Sequence, residues 1–273
     1  MFKDNVFRDL LAVCVGVFTL LNIQCGNPAD NQSSNEKIDT VVNKSISTSV
    51  TLFDNDTIRI SKIDSVQYFQ ARTEFFKPKD QADTLVYIED FQKAKSLLKG
   101  RVTFGQYNND LNIIDSTLDG TMIAKIVFSN GEEIEANDQQ YFWDMGFWRY
   151  YPTEDILLCE GGHSSDFSFD LKNGIIGPEW VGNPDYINES PNKTYRLNGW
   201  FPGQECSDYF IQRKTSNGYE HLVTIPMDLT KKQFDLCTIG EIFWISENHF
   251  YFRNTYFGIT DDERLGFFSL EIK

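Results

Sequence analysis

Thr121-Met-Ile-Ala-Lys-Ile-Val-Phe-Ser-Asn-Gly131 places an apolar, β-branched run directly before an Asn-Gly pair. Asn and Gly both tolerate the positive φ that a tight hairpin turn demands, so such a run followed by Asn-Gly predicts a strand turning back on itself. The pair recurs at Asn173-Gly174, Asn198-Gly199 and Asn217-Gly218, each among β-rich stretches. Repeated hairpin signals imply many short antiparallel strands rather than a parallel sheet.

Working outward, Ile58 and Ile60 alternate with polar neighbours in Thr57-Ile-Arg-Ile-Ser61, the pattern of a half-buried strand. Val66 to Phe76 continues in aromatic and β-branched residues and is read as further strand until Pro78. One helix is expected, over Asp90 to Gly100. Phe91, Ala94 and Leu98 share a face there, and Gly100 sits where a left-handed cap belongs. The fold class is therefore mostly β, antiparallel strands and hairpins with one short covering helix.

Three stretches repeat a turn, strand, turn, strand rhythm. They run from Tyr151 to Leu171, from Ser190 to Gln212, and from Ile245 to Ile272. This rhythm resembles the blades of a β-propeller, while a β-sandwich accounts for the same strands with fewer assumptions.

Composition narrows the class of partner. The chain has 23 Phe and 12 Tyr, enough aromatic surface to build a core. Its formal net charge of −15 repels phosphate backbones, so nucleic acid is not an expected partner. Cys159, Cys206 and Cys237 lie far from one another and lack the close cysteine or histidine spacing of a structural zinc site. No metal or cofactor is expected, and one disulfide among the three is possible, its pairing open.

At the amino end, Lys3 and Arg8 precede the apolar run Leu10 to Leu21. About a dozen apolar residues are too few to span a bilayer as a helix and match the hydrophobic part of an export signal. Asn22-Ile-Gln-Cys25-Gly-Asn27 follows, and with that run it resembles the signal of bacterial lipoproteins, in which the cysteine becomes the lipid-bearing first residue. Asn22 and Gln24 depart from the usual Leu and small residue of that motif. The resemblance implies a signal over residues 1–24 and lipidation at Cys25. It also implies a bacterial cell-envelope location and attachment to the membrane through the lipid. Residues 25–49 are rich in Ser, Asn and Thr and read as a flexible tether. Residues 50–273 then form the exported β-rich domain.

Candidate binding residues gather in two sets. Cys159-Glu-Gly-Gly-His-Ser-Ser-Asp166 puts Glu160, His163 and Asp166 on a glycine-rich loop, with Cys159 a conceivable nucleophile for His163. Trp148, Trp180 and Trp200 supply aromatic faces suited to a glycan or a protein partner. The expected function is non-enzymatic binding at the cell envelope. Two alternatives stand beside it: a hydrolase of envelope polymer using carboxylates among Glu160, Asp166, Glu179 and Asp185, and an immunity or inhibitor lipoprotein whose charge meets a basic effector.

Overall fold

The computed structural model describes residues 49–78, 85–138, 145–204, 206–229, 234–256 and 265–273. The expected signal, Cys25 and nearly all of the tether lie outside the described residues. No helix among the described residues is long and apolar enough to cross a membrane.

The chain enters on a hairpin of β1 (Val50–Asp54) and β2 (Ile58–Ile63). Asn55 shapes its turn, its side-chain oxygen accepting from the N–H groups of Thr57 and Ile58 at 2.9 and 2.8 Å. Helix α1 (Ser65–Phe75) follows, where the residue types predicted a strand. Asp64 starts it by accepting from the Gln67 N–H at 2.7 Å, a side-chain cap that satisfies one of the helix's free donors. Tyr68 is its one fully buried side chain, with its ring 4.3 Å from that of Phe267 and 5.2 Å from that of Phe243. A single anchoring ring leaves no apolar stripe, so the 3.6-residue period that betrays a helix is missing.

Helix α2 (Phe91–Leu97) forms as expected. Asp90 caps it, accepting from the Lys93 N–H at 2.8 Å, and Gly100 takes φ +84° just past its end. Ala94 and Leu98 are fully buried, and the Phe91 ring meets those of Phe104 and Phe147.

The strands that follow are β3 (Val102–Asn108), β4 (Ile113–Asp115), β5 (Met122–Val127) and β6 (Glu133–Glu135). Then come β7 (Gly146–Tyr151), β8 (Ile156–Glu160), β9 (Asp166–Asp170) and β10 (Ile175–Ile176). They make one eight-stranded, curled sheet in the order β10-β9-β8-β7-β5-β3-β4, with β6 also on β5. A four-residue helix α3 (Pro178–Val181) leads to β11 (Asn188–Glu189), β12 (Tyr195–Trp200), β13 (Asp208–Thr215) and β14 (Gly218–Thr224), a four-stranded sheet. A small pair, β15 (Asp228–Leu229) and β16 (Phe234–Asp235), precedes β17 (Thr238–Ser246), β18 (His249–Thr255) and β19 (Gly266–Ile272). These last three join the entry hairpin in a five-stranded sheet, because β19 pairs with β2 along its whole length.

All the strand pairings described are antiparallel. The three repeated stretches become the neighbouring pairs β8 with β9, β12 with β13, and β18 with β19, each in a different sheet. The five- and four-stranded sheets share one core in which Ile58, Ile60, Phe250 and Phe268 meet Leu197 and Ile211. The eight-stranded sheet has its own core beneath α2.

Asn130-Gly131, Asn173-Gly174 and Asn217-Gly218 turn hairpins, and each glycine has positive φ. Asn198-Gly199 does not turn: it lies in the middle of β12. Asn198 is fully buried and its amide donates to the Val181 carbonyl at 3.0 Å and to Gln212 Oε1 at 3.2 Å. Here the pair meets a demand for a small residue beside Tyr209 and a polar hub under α3, which the dipeptide alone does not distinguish from a turn.

Candidate functional site

The glycine-rich loop closes the hairpin between β8 and β9, with Glu160 and Asp166 directly opposite each other in the ladder. Its tip is a 3-10 turn, Gly162–Ser164, in which His163 and Ser164 both have φ 59°. Two successive non-glycine residues in the left-handed region store strain that the surroundings must hold. Gly203 helps hold it: a methyl group on Gly203 would stand 3.0 Å from the His163 carbonyl oxygen, so the two loops are in direct contact.

Asp166 fastens the same two loops from beneath. It is buried, and one carboxylate oxygen accepts from the Asn183 amide at 3.0 Å and from the Phe201 N–H at 2.8 Å. Burial raises its carboxyl above the ordinary value, those two hydrogen bonds pull it back, and the charges of Asp185 and Glu160 push it up again. Cys159 points the other way. It is fully buried in the core of the eight-stranded sheet, and burial drives its thiol far above the ordinary range, while His163 is exposed. The sequence-expected nucleophilic pair of Cys159 and His163 therefore does not form: Cys159 faces the core from β8 while His163 sits on the exposed loop tip beyond the strand end, and an apolar enclosure disfavours a thiolate.

Asp185 stands nearby on the 3-10 turn Pro184–Tyr186. Its carboxylate accepts from the Arg149 guanidinium at 2.5 Å and from the buried Tyr151 hydroxyl at 2.8 Å. The Arg149 guanidinium also lies over the rings of Tyr87, at 4.3 Å, and Trp148, at 4.8 Å. Trp148 is thus occupied by a cation of its own chain. Trp200 is half-buried beside Phe201 and faces Asp208 across the ladder. Trp180, half exposed, lies elsewhere on α3 with its ring edge against His221 at 4.9 Å. The hairpin carrying Glu160, His163 and Asp166 is thus joined to the Trp200-Phe201 step through the Asp166–Phe201 bonds and the Gly203–His163 contact, whereas Trp148 and Trp180 serve other contacts.

Sequence spacing gave no sign of a second feature. Asp185 and Tyr186 form one wall of a groove of about 360 Å³ completed by Phe76, Tyr209, Ile239 and Glu241. Its walls are stiffened by a disulfide between Cys206 and Cys237. Ser207, next to one cysteine, shares a 2.9 Å hydrogen bond with the Tyr186 hydroxyl, and Thr238, next to the other, lines the groove. Glu241 is held in a left-handed bulge at φ 46°, where its carbonyl accepts from Tyr68 at 3.0 Å and its carboxylate pairs with Arg72 at 3.2 Å. Aromatic and apolar side chains beside Asp185, Glu241 and Lys77 suit a small amphipathic group or a side chain of a partner.

The chain matches no family model, no curated protein and no solved structure.

Proposed function

We propose that the protein is a lipid-anchored component of the bacterial cell envelope, tethered at Cys25, whose β domain binds a ligand outside the cytoplasm rather than transforming one. The observation that carries the export reading is the Cys206–Cys237 disulfide, a bond characteristic of oxidising compartments. It agrees with the short apolar run and the cysteine that follows it. Binding is favoured over hydrolysis because Asp166 and Asp185 are engaged in holding loops and Arg149. The stiffened groove by Tyr186 and Tyr209 offers the recognition surface.

The test has two arms. Cells expressing the full chain are fed an alkyne-bearing palmitate and extracted with a phase-separating detergent. Wild type is expected to carry label and enter the detergent phase, and Cys25→Ser to lose both. Capture from envelope extracts with wild type and with Tyr186→Ala then reports whether the groove recruits a partner. Label retained by Cys25→Ser overturns the anchor. Degradation of an envelope polymer by the purified protein, abolished by Glu160→Gln, overturns the binding role in favour of a hydrolase.

A further inference from the structure

We infer that a second site, remote in sequence from the groove at Tyr186, binds a saccharide carrying a negative charge. The site is a cleft of about 560 Å³ between α2 and the turn after β4. Its rim carries Lys95 and Lys99 from the helix end, Gln92 from the preceding turn, Thr103 from β3 and Asp119 from the facing turn. Its floor is apolar, made by Val102 and Phe104, which are 6% and 5% exposed.

Charge selects the class of ligand. In a chain of net charge −15, two ammonium groups on one cleft are a local reversal of sign. Lys95 donates to Asp119 at 2.8 Å, whereas Lys99 has no ion-pair partner among the described residues. Lys99 is thus open to an anion, and Lys95 can turn to the same anion by leaving Asp119, whose side chain is 78% exposed and readily hydrated.

Size and lining select the rest. A free inorganic anion would leave most of such a cleft empty, while small-molecule sites run from about 300 to 1,000 Å³. Gln92 and Thr103 present an amide and a hydroxyl, the groups that pair with sugar hydroxyls, and Asp119 can accept from them. Leu118, 40% exposed on the same rim, provides an apolar patch for the C–H face of a ring. The anion is a carboxylate or a phosphate on that ring.

Calorimetric titration of the full-length protein in detergent decides the matter, with digalacturonate, glucose 6-phosphate and neutral maltose as probes. At least one anionic probe is expected to bind with a dissociation constant below about 1 mM, with maltose at least about tenfold weaker. Whichever anion binds better identifies the source of the charge. Lys99→Gln should weaken the bound anion about five- to tenfold. Asp119→Asn releases Lys95 and removes a like charge, so it should tighten the anion about two- to threefold. If the lysines serve only the carbonyl end of α2, Lys99→Gln shifts the melting temperature and leaves binding unchanged. That result, an Asp119→Asn variant that binds no more tightly, maltose binding as well as the anions, or no binding by either anion up to about 10 mM, overturns the inference.

Discussion

Asp166 and Phe201 are bonded to each other in both directions. The Asp166 N–H donates to the Phe201 carbonyl at 2.7 Å, and the Phe201 N–H donates to the Asp166 carboxylate at 2.8 Å. This double tie joins the β8–β9 hairpin to the segment that leaves β12, and Asn183 adds a third strap to the same carboxylate oxygen.

Substitution at Asp166 separates its two properties, acceptor and charge. Asp166→Ala leaves the Phe201 N–H and the Asn183 amide unpaired, and the expected loss is about 2–3 kcal/mol. Asp166→Asn keeps an acceptor oxygen and removes the charge, so its loss should be much smaller. The raised carboxyl sets the pH sign: the folded state holds the proton more tightly than the unfolded chain, so ionisation disfavours the wild-type fold as pH rises from about 4. Chemical denaturation of wild type and Asp166→Asn at pH 3.5 and pH 7 should show the comparison moving toward Asp166→Asn at the higher pH. Movement toward wild type would mean that the charge itself stabilises the tie.

Glu247 behaves in the opposite sense. Burial works to raise its carboxyl, but hydrogen bonds from the Ser190 hydroxyl, the Asn192 N–H and Thr194 override it and bring it down to about 2. These bonds pin the turn before β12 to the turn between β17 and β18, so they tie the four-stranded sheet to the five-stranded one. Because the folded value is depressed, the contribution is present above about 4.5 and lost as pH falls toward 2. Partial exposure screens it, and Glu247→Gln should cost about 1–2 kcal/mol at pH 7 and almost nothing at pH 2. Urea midpoints for both proteins across that range check it, and a cost independent of pH would place the effect in packing.

How far the fold could be read from the sequence follows from the range of the forces involved. Helix α2 was legible because its buried face and its closing glycine are both local. The hairpins at Asn130, Asn173 and Asn217 were legible for the same reason. Helix α1 was not: Val66, Tyr68, Phe69 and Phe75 have strand preferences, and its conformation is set by the Asp64 cap and by Tyr68 docking on rings more than 170 residues away. The site divided along the same line. The loop from Glu160 to Asp166 announced itself by composition, whereas the groove joins Phe76, Tyr186 and Ile239, which only the pairing of distant strands brings together.

Gly199 shows what the dipeptide reading missed, and it can be tested by contrast with Gly131. A methyl group at Gly199 would lie 2.7 Å from the Asp208 carbonyl oxygen and 2.9 Å from Tyr209 Cδ1, both far inside contact distance. Gly199→Ala must push β13 away, at an expected cost of about 2–4 kcal/mol. Gly131 has open space around it and only its φ of +88° to lose, so Gly131→Ala should cost about 1 kcal/mol. Melting curves of the two variants measure the difference. Equal costs would mean that β12 and β13 separate easily at that point.

The disulfide gives the widest-reaching expectation, because it bears on stability, groove and cell location together. Cys206 and Cys237 are 31 residues apart, and closing a loop of that size stabilises a fold by about 3–4 kcal/mol through the unfolded chain. Cys206→Ser with Cys237→Ser should therefore lower the melting temperature by about 7–15 °C. The loss should fall first on the groove, since Ser207 and Thr238 adjoin the two cysteines and the Ser207 N–H donates to the Cys237 carbonyl at 3.0 Å. Hydrogen exchange at Ser207 and Ile239 should quicken before exchange in the β2–β19 ladder does. Cys159 provides the internal control: sealed in the other core, it should resist a maleimide in the native protein, oxidised or reduced, and react only on unfolding. Labelling of Cys159 after mild reduction alone would mean that the disulfide holds the eight-stranded sheet as well as the groove.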